Sequence, residues 1–218
     1  METAKHEIDI ESAEYPEQLR ELANPPKVLY VMGDPAPLHG KTLAVVGPRK
    51  CTRYGASCAK QFAQVAVGMG YAIVSGGAMG IDQEAHWAAI NGGGATVAVM
   101  GCGADVAYPK CNAPLFDAIL ENGGCIVSER PWGTQPMPWM FPARNRIIAG
   151  LSQAMLVPEC AVPSGTFTAC EYMANICRPL LAVPGSIFSD TSGGTNHLIA
   201  EREAHAVIDG PSFTRWLE

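Results

Sequence analysis

Thr42–Gly80 reads TLAVVGPRKCTRYGASCAKQFAQVAVGMGYAIVSGGAMG. Its two ends, Thr42–Gly47 and Tyr71–Ser75, are short, continuous apolar runs. Between them Ala59, Phe62, Ala63, Ala66 and Gly70 recur at i, i+3, i+4, i+7 and i+11, the spacing of one helix face. Continuous rather than alternating apolar runs fit strands covered on both sides, as in a parallel sheet. The stretch therefore reads as strand, helix, parallel strand.

The same grammar extends in both directions. Ala95–Met100, Gly124–Ser128, Ala154–Val157, Leu180–Val183 and Ala204–Ile208 are further strand candidates, and residues 82–91, 113–121, 143–151 and 165–177 are helix candidates. Strand–helix alternation with short turns predicts an α/β fold with a doubly wound, mostly parallel sheet of extended Rossmann-like type. Residues 1–40, broken by Asn24-Pro25-Pro26 and Asp34-Pro35-Ala36-Pro37, read as an N-terminal arm packed on the core. Residues 41–210 make the domain, and 211–218 a short tail.

Composition agrees with a well-covered core. Of 218 residues, 48% are hydrophobic and only 17% charged, which excludes a disordered chain. The eight cysteines form no CxxC pair, so no zinc site is expected, and they read as buried thiols of a reduced, cytoplasmic protein. The opening METAKHEIDIESAEYPEQL is acidic and lacks an apolar run, so no signal peptide is expected. Residues 85–104 carry no Asp, Glu, Lys or Arg, but Gly92-Gly93-Gly94 breaks them, and no membrane span is expected.

The formal charge of −6 argues at first against a polyanion ligand. The charge is unevenly placed, however. Residues 1–34 hold eight acids and three bases, whereas residues 35–81 hold five bases (Lys41, Arg49, Lys50, Arg53, Lys60) and no acid. Screening makes electrostatics local beyond ~10 Å, so this stretch can bind an anion inside an acidic protein.

In a doubly wound sheet, ligands bind where strands end and helices begin. After the first strand, Gly47-Pro48-Arg49-Lys50-Cys51-Thr52-Arg53 lacks the GxGxxG fingerprint, disfavouring a dinucleotide cofactor, and no cofactor of any kind is expected. It does place Arg49 and Arg53 where a guanidinium can grip phosphate. After the second, Ser75, Gly76, Gly77 and Gly80 permit positive φ and a close backbone approach to a ligand. Asp82 reads as the following helix's N-cap, with His86 four residues on and able to bond to it. Lys110 follows the third strand's glycine-rich end. A proline- and aromatic-rich loop with Trp132 and Trp139 then leads to Phe141, Arg144, Asn145 and Arg146. Aromatics beside arginines at a helix start suit stacked bases and bonded phosphates. Arg144 and Arg146 lie about 200° apart on a helix, so one of them faces any given ligand. Ser164 and Gly165 open another helix without the GxSxG pattern of a serine hydrolase, and read as a cap that binds phosphate.

Taken in order, AVVGPRKCTRYG (44–55), IVSGGAMGIDQEAH (73–86), TVAVMGCGADVAYPKCN (96–112), FPARNRIIAGLS (141–152), SGTFTA (164–169) and TNHLI (195–199) resemble the DprA/Smf family of DNA-processing proteins. The resemblance runs from Tyr15 to about Val207. It implies a homodimer with a phosphate-lined groove for single-stranded DNA, which protects incoming DNA and loads RecA during natural transformation. The family's DNA-contacting positions fall on Arg49, Lys110, Phe141 and Asn145, and its phosphate-binding backbone on Ser75-Gly76-Gly77. Pro138, Pro158 and Glu203-Ala204 depart from the family's pattern. The dimer interface is expected over about 160–210, because the apolar Ala154–Val157 and Leu180–Val183 need cover. An alternative reading is a Lonely Guy-type nucleoside-monophosphate phosphoribohydrolase, which Ser75–Gly80 and Pro163–Glu171 partly resemble, with Glu171 as the carboxylate such an enzyme needs.

Overall fold

The computed structural model describes residues 3–218; residues 1 and 2 of the expected arm lie outside the described residues. Its strands are β1 (Lys5–Asp9), β2 (Val28–Gly33), β3 (Thr42–Val45), β4 (Ala72–Ser75), β5 (Thr96–Val99), β6 (Cys125–Ser128), β7 (Ala154–Val157), β8 (Leu180–Ala182) and β9 (His205–Ala206). They form one sheet in the order β1-β2-β6-β5-β4-β3-β7-β8-β9. From β6 through to β9 every pairing is parallel, with Leu43 of β3 opposite Ile73 on one side and Ala154 on the other. All seven apolar runs are strands, and the doubly wound, Rossmann-like expectation holds.

The continuous runs have the cause inferred for them: every residue of β3 to β8 is buried. Leu43, Val45, Ile73, Ala154 and Leu156 point to one face, under α1 (Arg53–Gly68), α2 (Ile81–Asn91) and α7 (Gly210–Thr214). Ala44, Val74, Val97, Met155 and Val157 point to the other, under α4 (Met140–Leu151), α5 (Thr166–Asn175) and α6 (Gly193–Ala200). Helix α3 (Ala113–Glu121) covers Ala98 and Ile126. Ala154–Val157 and Leu180–Ala182 are thus covered within the chain itself, and their apolar character calls for no partner.

From β3 the chain winds one way through β4, β5 and β6, then returns to β7 and winds the other way. That reversal leaves a crevice at the carboxyl ends of β3 and β7, the switch point where such folds hold ligands.

Two elements depart from expectation. The N-terminal segment contains two strands, and they extend the sheet antiparallel beyond β6, with Tyr30 opposite Ser128 and Lys5 opposite Met32. Only Ile8 of β1 is buried, and its charged neighbours suit an edge strand. Between the two strands, Leu19 and Leu22 pack so closely on α4 that a Cβ at Gly150 would meet both at 2.8 Å. Arg178 fastens the same place: Nη1 donates to the carbonyls of Gly150 (2.8 Å) and Ser152 (2.7 Å), and Nη2 to Glu21 Oε2 (2.6 Å). A cation at the carbonyl end of α4 is favoured by the helix dipole. The last residues are also structural. Asp209 and Ser212 form a capping box for α7, whose Phe213 is fully buried 5.0 Å from the Phe62 ring.

Candidate nucleic-acid interface

The crevice opens as a cleft of about 730 Å³. Its walls come from the β3–α1 loop (Gly47, Pro48, Arg49), the start of α4 (Phe141, Arg144, Asn145) and the start of α5 (Ser164, Gly165, Thr166). Proline-rich positions 136 and 138 close one side, and Tyr108 stands at the rim.

At the mouth, Arg49 is exposed and its guanidinium lies 5.5 Å above the Phe141 ring. Tyr108 lies 5.2 Å from the same ring, tilted by 33°. One cation and two rings thus make a continuous platform. A planar π system can stack there while its charged substituent meets the arginine.

At the floor, Arg144 is only 6% exposed, and its Nη1 donates to the carbonyls of Gly76 (2.6 Å) and Val99. Its guanidinium lies against the Cα of Gly76, where any Cβ would collide with it. Asp82 Oδ2 accepts from the N–H groups of Gly76 (3.1 Å) and Ala78 (3.3 Å). Burial pushes the Asp82 carboxyl above its usual range, against the opposing pull of the Arg144 charge. Ser75 holds the strand end from below, donating to the Val45 carbonyl at 2.6 Å. The glycine turn is therefore internal scaffolding. Gly76 and Gly77 are buried, and Gly80 (φ +78°) lets α2 begin directly against the Pro48 and Arg49 backbone.

Of the residues singled out in the sequence, the cleft brings together Arg49, Phe141, Arg144, Asn145, Ser164 and Gly165. Ser75, Gly76, Gly77 and Gly80 lie beneath or beside it. Arg53 and Lys110 are exposed at the starts of α1 and of a 3-10 turn, outside the cleft walls. Arg146 points away: its Nη1 and Nη2 grip Glu129 at 2.9 and 2.6 Å, and its Nε donates to the Asn24 carbonyl at 3.0 Å. Trp132 is also structural, donating from Nε1 to Glu7 at 2.7 Å and meeting Tyr30 edge-on, whereas Trp139 is exposed with Arg130 above it. Tyr108 and Thr166 were not singled out. The signal for Tyr108 was an aromatic in a strand-end loop beside Lys110. Glu171, which the hydrolase reading required, is exposed and is not among the cleft's lining residues, where the only acid is Asp82.

The expected Asp82–His86 bond is not formed, and Gly80 rather than Asp82 is the α2 N-cap. The Thr96 hydroxyl donates to the Ile73 carbonyl at 2.7 Å, so it accepts from His86 Nδ1–H, also at 2.7 Å. His86 Nε2 is buried without a partner, and desolvation lowers the imidazole pKa from 6.5 to about 3. The neutral ring is the folded form. Its contribution is complete above pH 6.5 and is lost as pH falls from there toward about 3, at about 1.4 kcal/mol per pH unit. Between pH 7.5 and 5, thermal stability should fall more steeply for the wild type than for His86→Gln. Parallel curves would refute this assignment.

Five cysteines are buried as expected, but Cys111 and Cys177 are exposed, and all eight are free thiols. Among the described residues no group of three or more His, Cys, Asp or Glu could hold a metal, and no helix is long and apolar enough to cross a membrane.

Residues 6–217 match the family model described as DNA recombination-mediator protein A. The chain belongs to the DprA/Smf family. It is 43% identical over 187 residues to DNA processing protein DprA of Streptococcus pneumoniae, a match covering 86% of this chain and 66% of that one. It is 39% identical to protein Smf of Escherichia coli, covering 90% and 52%. The chain thus spans between half and two thirds of the length of these relatives. A solved structure of DNA processing protein A from Helicobacter pylori, described for its single-stranded DNA binding mode, superposes with a TM-score of 0.87 at 29% identity, covering 97% of this DprA/Smf chain and 95% of that one.

Proposed function

We propose that the cleft binds single-stranded DNA with little sequence preference. The observation that carries this is the exposed Arg49 guanidinium over the Phe141 ring, beside Tyr108, at the carboxyl end of β3. Stacking accepts any base, and the cleft presents no helix shaped to enter a major groove. Lys50, Arg53 and Lys110, exposed where the chain leaves β3 and β5 but outside the cleft walls, extend the phosphate track. If these three and Arg49 each neutralise one phosphate, the log–log salt dependence on a single strand has a slope of about −2.8. A fluorescence-anisotropy titration from low to moderate salt, on oligo-dT and on duplex, checks it. Equal binding to the two, or a flat slope, would overturn the reading.

Protection of incoming DNA and transfer to RecA in natural transformation are the cellular roles that belong with this reading, in the reducing cytoplasm that eight free thiols suit. We place a homodimer contact on the late segment, where Val162, Ile187, Phe188 and Ile208 are exposed apolar residues. A monomer in sedimentation at tens of micromolar would overturn that part.

A further inference from the structure

Arg144 holds a charge almost entirely out of water, yet it forms no ion pair with a carboxylate among the described residues. Both of its hydrogen bonds come from Nη1. Its Nε–H is buried with no partner, and Nη2 donates to no acceptor among the described residues. Asp82, the nearby acid, directs Oδ2 to the backbone of its own turn. Buried donors without partners are rare in native proteins, and a buried cation to which no carboxylate oxygen is bonded is more costly still. The Nε–Nη2 edge is the one with which a guanidinium grips an oxyanion bidentately.

Across the same cleft stands the start of α5, a ten-residue helix opened by Ser164, Gly165 and Thr166, all of them lining residues. The Ser164 hydroxyl already orders this turn, accepting from the Thr166 N–H at 3.2 Å and donating to Thr166 Oγ1 at 3.0 Å. A helix N-terminus and an unpartnered, buried guanidinium lining one cleft are two groups that each favour an anion.

We propose that the floor of the cleft is a phosphomonoester subsite, held by the Nε–Nη2 edge of Arg144 on one side and the start of α5 on the other. It rests on the single-strand reading above only for which molecule delivers the phosphate. A diester within a strand has a sugar on both sides and must enter and leave the floor. Arg144 is backed by the Gly76 turn and lines the cleft on its other side, an arrangement that suits a group with one substituent. A monoester also carries about −1.5 to −2 charge at pH 7, enough to match a guanidinium and a helix end together. The phosphate could come from the end of a DNA strand or from a free nucleoside monophosphate, and the chemistry at the floor is the same.

The test compares dT12 bearing a 5′-phosphate, a 3′-phosphate or hydroxyls at both ends, with free dTMP followed by ³¹P NMR. A terminal phosphate is expected to tighten binding ~10-fold or more over the hydroxyl oligomer. In Arg144→Lys, which keeps the charge but loses the fork, that ratio falls toward one. An increment that dTMP cannot displace assigns the subsite to strand ends; a dTMP resonance shift without an increment assigns it to free nucleotides. Equal affinity for all three oligomers, together with an unshifted dTMP resonance in the wild type, would overturn the subsite while leaving single-strand binding intact. A dTMP shift without binding of any oligomer would overturn the single-strand reading instead. These wild-type arms stand even if the Arg144 variant does not fold.

Discussion

Gly76→Ala is expected to destabilise the protein by about 3–5 kcal/mol. The new Cβ would collide with the Arg144 guanidinium, which is buried and fixed by its bonds to the Gly76 and Val99 carbonyls. Pushing it aside breaks its bonds to the Gly76 and Val99 carbonyls and leaves a buried charge with no partner, the situation that makes breaking a buried polar pair so costly. In a chain of this size ~1 kcal/mol moves the melting temperature by roughly 2–4 °C, so the loss should read as about 6–20 °C. Gly68→Ala is the matched control. Gly68 is exposed at the end of α1, nothing lies within 4 Å of its would-be Cβ, and the change should be neutral or slightly stabilising. Melting curves for Gly76→Ala and Gly68→Ala that coincide would show that the Gly76 turn can yield.

The second large effect is on ligand affinity. Arg49→Ala should weaken single-strand binding by ~1.5–3 kcal/mol, the range of hydrogen bonds to charged groups, or ~10- to 150-fold. Phe141→Ala should cost ~1–3 kcal/mol through lost stacking. The two losses differ in character: removing Arg49 should flatten the salt slope by ~0.7, whereas removing Phe141 leaves it unchanged. Because the two side chains touch, the double variant should lose less than the sum, by ~0.5 kcal/mol or more. Arg49→Lys should recover only part, since lysine lacks the planar fork. Unchanged affinity in folded Arg49→Ala would move the binding site away from the cleft mouth.

Where the chain is buried on both sides, its organisation was legible from residue type alone. The runs at 42–47, 71–75 and 154–157 contain the central strands β3, β4 and β7, every residue of which is buried. β1 was not legible, because KHEID puts a single residue, Ile8, into the core and its charges are those of a solvated edge. Helix α6 escaped because Gly193-Gly194 opens it with two helix-poor residues; its close approach to the Cys160 carbonyl, which Gly194 permits, is a tertiary fact. At the site, the strand-end turns located the cleft, but counting arginines did not tell which face it. Arg146 and Arg144 stand two residues apart, and the helix turn between them sends one to Glu129 and the other to the cleft floor. Nothing local marks Glu129 as the partner of Arg146, because that pairing depends on the start of α4 lying against the end of β6.

Helix α4 carries the cleft wall at its first turn, is moored to Asn24 and Glu129 through Arg146, and is clamped at its far end by Arg178 and Leu22. Residues 3–30 therefore brace the binding wall from behind, although none of them lines the cleft itself. A tag, cut or graft between β1 and β2 is a perturbation of ligand affinity by leverage. In the laboratory, changes in this segment have to be made in step with the cleft whose wall it holds.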